Sequence, residues 1–219
     1  ILLALLSKSE LHAAHLNMSS SDTGFLSSRI PAIIVGVPFL AAVAAVFFFG
    51  TKVLAAEATF KKALDGLSTG DAKTTYTLMQ SAINQNPQVD RYHASFAQVD
   101  LALASSIAAK KDITDADRST ITQLVQQAIS EGKAAVTLNP GRSGNWEVLA
   151  QIYRSIMPFA QGADQFTIQT YTQAVALDPV NPNLRIGLGG VYYALGKYDD
   201  AIDSFKLAAL AKPDLANAH

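Results

Sequence analysis

Asn181–Pro213 reads NPNLRIGLGGVYYALGKYDDAIDSFKLAALAKP, and most of the chain after residue 52 varies this stretch. Leu188 and Gly189 are followed by Tyr192, then by Gly196, Ala201, Phe205, Ala208 and Pro213. Small residues at Gly189 and Ala201 suit two antiparallel helices that cross closely, with Tyr192 and Phe205 filling the space beside the crossing. Gly196 ends the first helix and the proline ends the second, because proline cannot continue one. An alanine followed five residues later by proline recurs at Ala82–Pro87, Ala135–Pro140, Ala174–Pro179 and Ala208–Pro213. The interval from Pro87 to Pro140 is the longest, that from Pro140 to Pro179 is shorter, and that from Pro179 to Pro213 is the shortest. After Pro140 the front half returns as Trp146, Leu149, Ala150 and Tyr153.

This order of residue types resembles the tetratricopeptide repeat (TPR), whose pattern W-x2-L-G-x2-Y, A-x3-F, P extends over about 34 residues. The resemblance is strongest over 143–213 and extends to 52–140. Arg185 stands where the pattern has its opening tryptophan. The resemblance implies an all-α fold, an α-solenoid of antiparallel helix hairpins forming a TPR-like superhelix, and the uncharged run at 30–51 is expected to precede it as one transmembrane helix. The hairpins are expected at about 52–87, 88–140, 143–179 and 182–213, with 214–219 as the start of a further repeat. The 88–140 hairpin far exceeds the standard interval, and the 143–179 hairpin exceeds it slightly, through a longer loop at Pro158 and Gly162.

The apolar share of the 219-residue chain is 49%, and much of it is concentrated near the start. Residues 30–51 carry no charge between Arg29 and Lys52. Twenty-two helical residues at 1.5 Å each reach roughly 33 Å, enough for the hydrocarbon core of a bilayer. Membrane lipid is therefore the expected surrounding of 30–51, with Pro31 near the helix start and a kink at Gly36–Pro38. ILLALL at residues 1–6 reads as the tail of an earlier apolar segment, and 7–29 as a polar, serine-rich loop. His12 and His15 are a poor metal site without a third ligand. The Asn17-Met18-Ser19 triplet is too short to count.

From Lys52 the helix continues to an end marked by Gly66 and Gly70, and a second helix covers about 71–85. Thr114 is expected to cap a helix with Asp117 as the capping-box acid, burying Leu124, Ala128 and Ala135. Seventeen basic and 18 acidic side chains are interspersed, so nucleic acid is excluded as an expected partner. There is no cysteine, hence no disulfide or thiolate site. The histidines are scattered, Asp199 and Asp200 suit a helix start, and Gly187, Gly189 and Gly190 lie inside a helix rather than after a strand. No catalytic residue, metal site or cofactor is expected.

In a stack of hairpins the first helices line the concave side. Counting from the packing residues places Tyr92, Phe96, Glu147, Gln151, Arg154, Asn183, Ile186 and Tyr193 on it, a mixture suited to a protein or peptide partner. The expected function is a non-enzymatic scaffold at the bacterial inner membrane, on a side that loop charges leave open. The order of apolar tail, loop, membrane helix and repeats also resembles the C-terminal part of polytopic O-antigen ligase or polymerase-like enzymes of cell-surface polysaccharide assembly.

Overall fold

The structure, a computed structural model, describes the backbone of residues 30–212 and the side-chain surroundings of residues 36–212. The expectations for 1–29 and 214–219 lie outside the described residues. Eight helices follow one another: α1 (Ile30–Thr69), α2 (Ala72–Gln85), α3 (Asp90–Ala108), α4 (Asp115–Leu138), α5 (Ser143–Ile156), α6 (Ala163–Leu177), α7 (Pro182–Ala194) and α8 (Tyr198–Ala211). No strand occurs among the described residues. Two compact units divide between Phe48 and Phe49, within α1.

In the first unit α1 runs as helix through Pro38. It is the one helix among the described residues long and apolar enough to cross a membrane, and its side chains from Val37 to Phe48 are exposed. In the second unit α1 does not stop at Gly66 but continues to Thr69, and Gly70 turns the chain with a φ of 75°. Gly66 serves packing instead: a Cβ there would lie 2.7 Å from the Thr75 hydroxyl oxygen.

The recurring Ala-x4-Pro has one geometry throughout. Asn86, Asn139, Asp178 and Lys212 end α2, α4, α6 and α8 with φ between −147° and −138° and ψ between 75° and 89°. The following proline bars each from the helical region. Each still donates its N–H to the carbonyl of the alanine four residues back, and Ala82, Ala135, Ala174 and Ala208 are all fully buried.

The next helix then turns back on the proline. His93 Nε2 lies 3.0 Å from the Pro87 carbonyl oxygen, Trp146 Nε1 donates to that of Pro140 at 2.8 Å, and Arg185 Nε to that of Pro179 at 3.2 Å. All three stand six residues past their proline. They share nothing but a side-chain N–H. Arg185 therefore replaces the tryptophan of the pattern in its hydrogen bond, and the position is filled rather than vacant.

The first helices α3 and α5 are each shared between two neighbouring cores. Ala56, Phe60 and Ala63 of α1 pack with Met79 and Ala82 of α2 and with Tyr92, Phe96 and Val99 of α3. Ala97 of α3 joins Ala128 of α4 and Val148 and Ile152 of α5. Ala150 joins Tyr171 of α6 and Val191 of α7. The extra residues of the second hairpin lengthen α3 to 19 and α4 to 24 residues. Thr114 and Asp117 form the expected capping box, with Lys110 on Asp117 at 2.6 Å, and Leu124, Ala128 and Ala135 are buried.

Trp146→Phe keeps most of the ring and removes the N–H. It should cost about 1 kcal/mol, the usual worth of a single hydrogen bond, while Arg185→Trp should be nearly neutral. Denaturant midpoints followed by circular dichroism measure both. An unchanged midpoint for Trp146→Phe would show that the proline carbonyl does not need its donor.

Candidate partner-binding groove

α3, α5 and α7 present the side chains that the hairpin cores leave over. On α5, Glu147 is half-buried, whereas Gln151 and Arg154 are exposed. Gln151 Nε2 donates to Glu147 Oε1 at 3.2 Å, and burial pushes the Glu147 carboxyl above its ordinary pKa. The Arg154 guanidinium lies beside the hydroxyl of Tyr171 and over Gly190, where an added Cβ would come within 3.4 Å of it. Tyr171 rises from α6, and its ring fills the space a side chain at Gly187 would need, 2.6 Å from that Cβ. Burial raises the pKa of its hydroxyl, against the opposing effect of Arg154. The result is a polar patch of Glu147, Gln151, Arg154 and Tyr171 above a glycine floor.

Along α7, Asn183 is exposed, Ile186 is half-buried and Tyr193 is 64% exposed, its ring 5.6 Å from that of Tyr198. Tyr92 and Phe96 are corrections. Each is only 1% exposed. The Tyr92 ring lies 4.5 Å from Phe60, its hydroxyl donates to Glu57 at 2.8 Å, and Phe96 meets the edge of Tyr76. Both are pillars of the core between α1, α2 and α3, and neither is available to a partner. Accessible residues of α3 include Arg91, Ser95 and Gln98. With Arg142, Gly144 and Val148 they line a cleft of about 150 Å³. Arg91 pairs with Glu57, and Arg142 with Asp90 at 3.3 Å. Tyr171 is the residue that sequence reasoning missed. Its signal is its place one standard repeat interval before Phe205, which marks it as packing but gives no hint of its hydroxyl.

A larger cleft of about 410 Å³ runs between α4, α5 and α6, lined by Trp146, Tyr153, Phe166, Gln169 and Lys133 among others. The rings of Tyr153 and Phe166 stack 5.5 Å apart. Among the described residues no group of three or more His, Asp or Glu could hold a metal ion.

The second hairpin also hides ionisable groups. His93 lies 2.5 Å from Glu131 through Nδ1 and reaches the Pro87 carbonyl through Nε2. Both neighbours accept hydrogen bonds, so the doubly protonated ring suits the site, and the Glu131 hydrogen bond raises its pKa. Asp100, two turns further along α3, is fully buried, with no partner on either oxygen. Burial, assisted by the negative charge of Glu131, lifts its carboxyl to about 8.

Residues 160–219 match the tetratricopeptide repeat family. No curated protein matches the chain. Solved structures resemble it in fold. A thermophilic TPR protein of Thermus thermophilus superposes with a TM-score of 0.61 at 20% identity, covering 85% of this chain and 92% of that one. MamA from Desulfovibrio magneticus gives 0.57 at 14% identity, covering 74% and 77%. YrrB, a TPR protein with an unusual peptide-binding site, gives 0.50 at 12% identity, covering 73% and 70%.

The buried groups predict a stability that falls as pH rises. Asp100 binds a proton in the folded chain at pH values where the unfolded residue, with a pKa near 3.9, has lost it. Its contribution declines from about pH 4 to 8 and is gone above the folded pKa. His93, also raised, contributes fully below its unfolded pKa of about 6.5 and loses that contribution as pH passes the folded one. Melting temperature should therefore drop from pH 6 to pH 9, and Asp100→Asn should flatten the profile. A profile equally steep in Asp100→Asn would remove Asp100 from the explanation.

Proposed function

We propose that this chain is a membrane-anchored scaffold that holds a protein partner in the groove along α3, α5 and α7. The TPR fold is that of a protein–protein interaction scaffold. The observation that carries the reading is the patch of Glu147, Gln151, Arg154 and Tyr171 over Gly187 and Gly190. None of its polar heads is needed for hairpin packing, and the glycines give Tyr171 and Arg154 room to lie against the α7 backbone and present those heads. Exposed Tyr193 supplies an aromatic anchor at the far end of α7, the kind of residue that carries much of an interface's energy. An extended or helical peptide segment fits such a surface. The chemistry is recognition, not catalysis.

The apolar, exposed stretch of α1 supplies the anchor, with lipid around 30–51. The repeats then lie beside a bilayer, in keeping with a bacterial inner membrane.

Arg154→Ala combined with Tyr193→Ala should abolish photocrosslinking of the partner from a reactive residue at Gln151, leaving helicity intact. Asp203→Ala with Lys206→Ala on α8 should leave the adduct unchanged. The opposite pattern would move the partner off this groove. For the anchor, a charge at Ala42 should weaken insertion by about 2.5–3.5 kcal/mol on the translocon scale. Release of the unaltered chain by alkaline carbonate would refute anchoring.

A further inference from the structure

The two departures from the standard repeat interval meet in space. The lengthened α3–α4 hairpin and the lengthened α5–α6 connection together enclose an apolar cleft of about 160 Å³. α3 contributes Leu101, Ala104 and Ala108, and α4 contributes Ile121 and Val125. Ile156 and Phe159 close it from the end of α5 and the loop beyond. No charged residue lines it. Phe159 itself stands at the rim, 89% exposed, although a phenylalanine can bury about 150–250 Å². The cleft has the size of the roughly 150 Å³ cavity that takes a benzene ring.

We infer that this end of the second and third hairpins is a self-association surface, at which the Phe159 ring of one copy enters the cleft of a second copy of this chain. A knob beside a hole of its own size is the requirement of a two-fold, self-complementary interface, in which each copy gives and receives the same contact. The charges beside the cleft point the same way. Residues 110–118 carry three basic and three acidic side chains. Lys110 and Asp117 pair with each other. Lys111, Asp112, Asp115 and Arg118 are in no ion pair among the described residues. Two charges of each sign meet their complement in a two-fold mate, whereas a strongly acidic or basic partner would find no net attraction. This inference is independent of the proposed groove, since it uses other faces of the helices.

The chain has no cysteine, so a single Gln161→Cys in the full-length chain, purified in detergent, reports the contact by oxidative crosslinking between copies. Crosslinking should rise with protein concentration. Phe159→Ser, which removes an exposed ring, should lower it about tenfold or more, as loss of an interface anchor does. Ala108→Trp, which fills the cleft from an exposed position, should do the same. Mixing the two variants pairs one intact knob with a cleft that lacks only its own Phe159 side, so crosslinks between unlike chains should exceed those within either variant alone. Crosslinking that ignores Phe159→Ser, or that is as strong from Asp203→Cys on α8, would overturn the inference, the latter by showing micelle crowding. Absence of any crosslink, or an adduct with a different protein instead of a second copy, would overturn it too. Should Ala108→Trp lose helicity, Phe159→Ser decides alone.

Discussion

Each repeat junction depends on what a proline does to the chain on either side of it. It denies the helical conformation to the residue before it, so α2, α4 and α6 end where they do. Its own carbonyl then faces the start of the next helix, within reach of a side-chain donor there. His93, Trp146 and Arg185 reach it from six residues on. The bond ties the beginning of one hairpin to the end of the last. The buried alanine five residues before the proline completes the joint from the other side, since only a small side chain fits where Ala82, Ala135 and Ala174 lie fully covered.

Counting from the prolines puts three side chains in one further position: Asp100, Tyr153 and Tyr192, each 13 positions on. Two are aromatic and one is an acid. In the second hairpin the polar choices come together, with His93 at the tryptophan position and Asp100 at the tyrosine position, both near Glu131. At these two positions the hairpin sets a hydrogen-bonded histidine and a buried acid, where the next hairpin has the rings of Trp146 and Tyr153. The same hairpin is the longest, and its α3–α4 pairing extends well past the ends of its neighbours.

That substitution also explains which parts of the site were legible in the sequence. On α5 the landmarks Trp146, Leu149, Ala150 and Tyr153 set the helical phase, so Glu147, Gln151 and Arg154 can be placed between them, and the structure keeps all three from full burial. On α3 the landmarks are His93, Phe96, Ala97 and Asp100, two of which look like surface residues. With the phase lost, aromatic character mimics groove character, and the count puts Tyr92 and Phe96 in the groove although they belong to the core. Recurrence of Ala-x4-Pro is enough for the fold because it needs no phase. The reach of a side-chain N–H to a carbonyl six residues back is a distance, and no residue type announces it.

α7 shows how packing and recognition share one set of residues. Gly187 receives the Tyr171 ring from the preceding hairpin, Gly189 receives Phe205 from its own, and Gly190 makes room for Arg154 of α5. Three directions of approach are thus accommodated within four positions of one helix. A phosphate-loop role for these glycines is unnecessary, since each already faces a side chain. Their absent side chains also lower the wall of the groove. Tyr171 can then be buried as a ring while its hydroxyl lies beside the Arg154 guanidinium, and Arg154 can lie flat across the α7 backbone. A Cβ at Gly187 would displace the tyrosine first and the arginine through it, so the polar patch on the groove follows from the close packing of Tyr171 on α7.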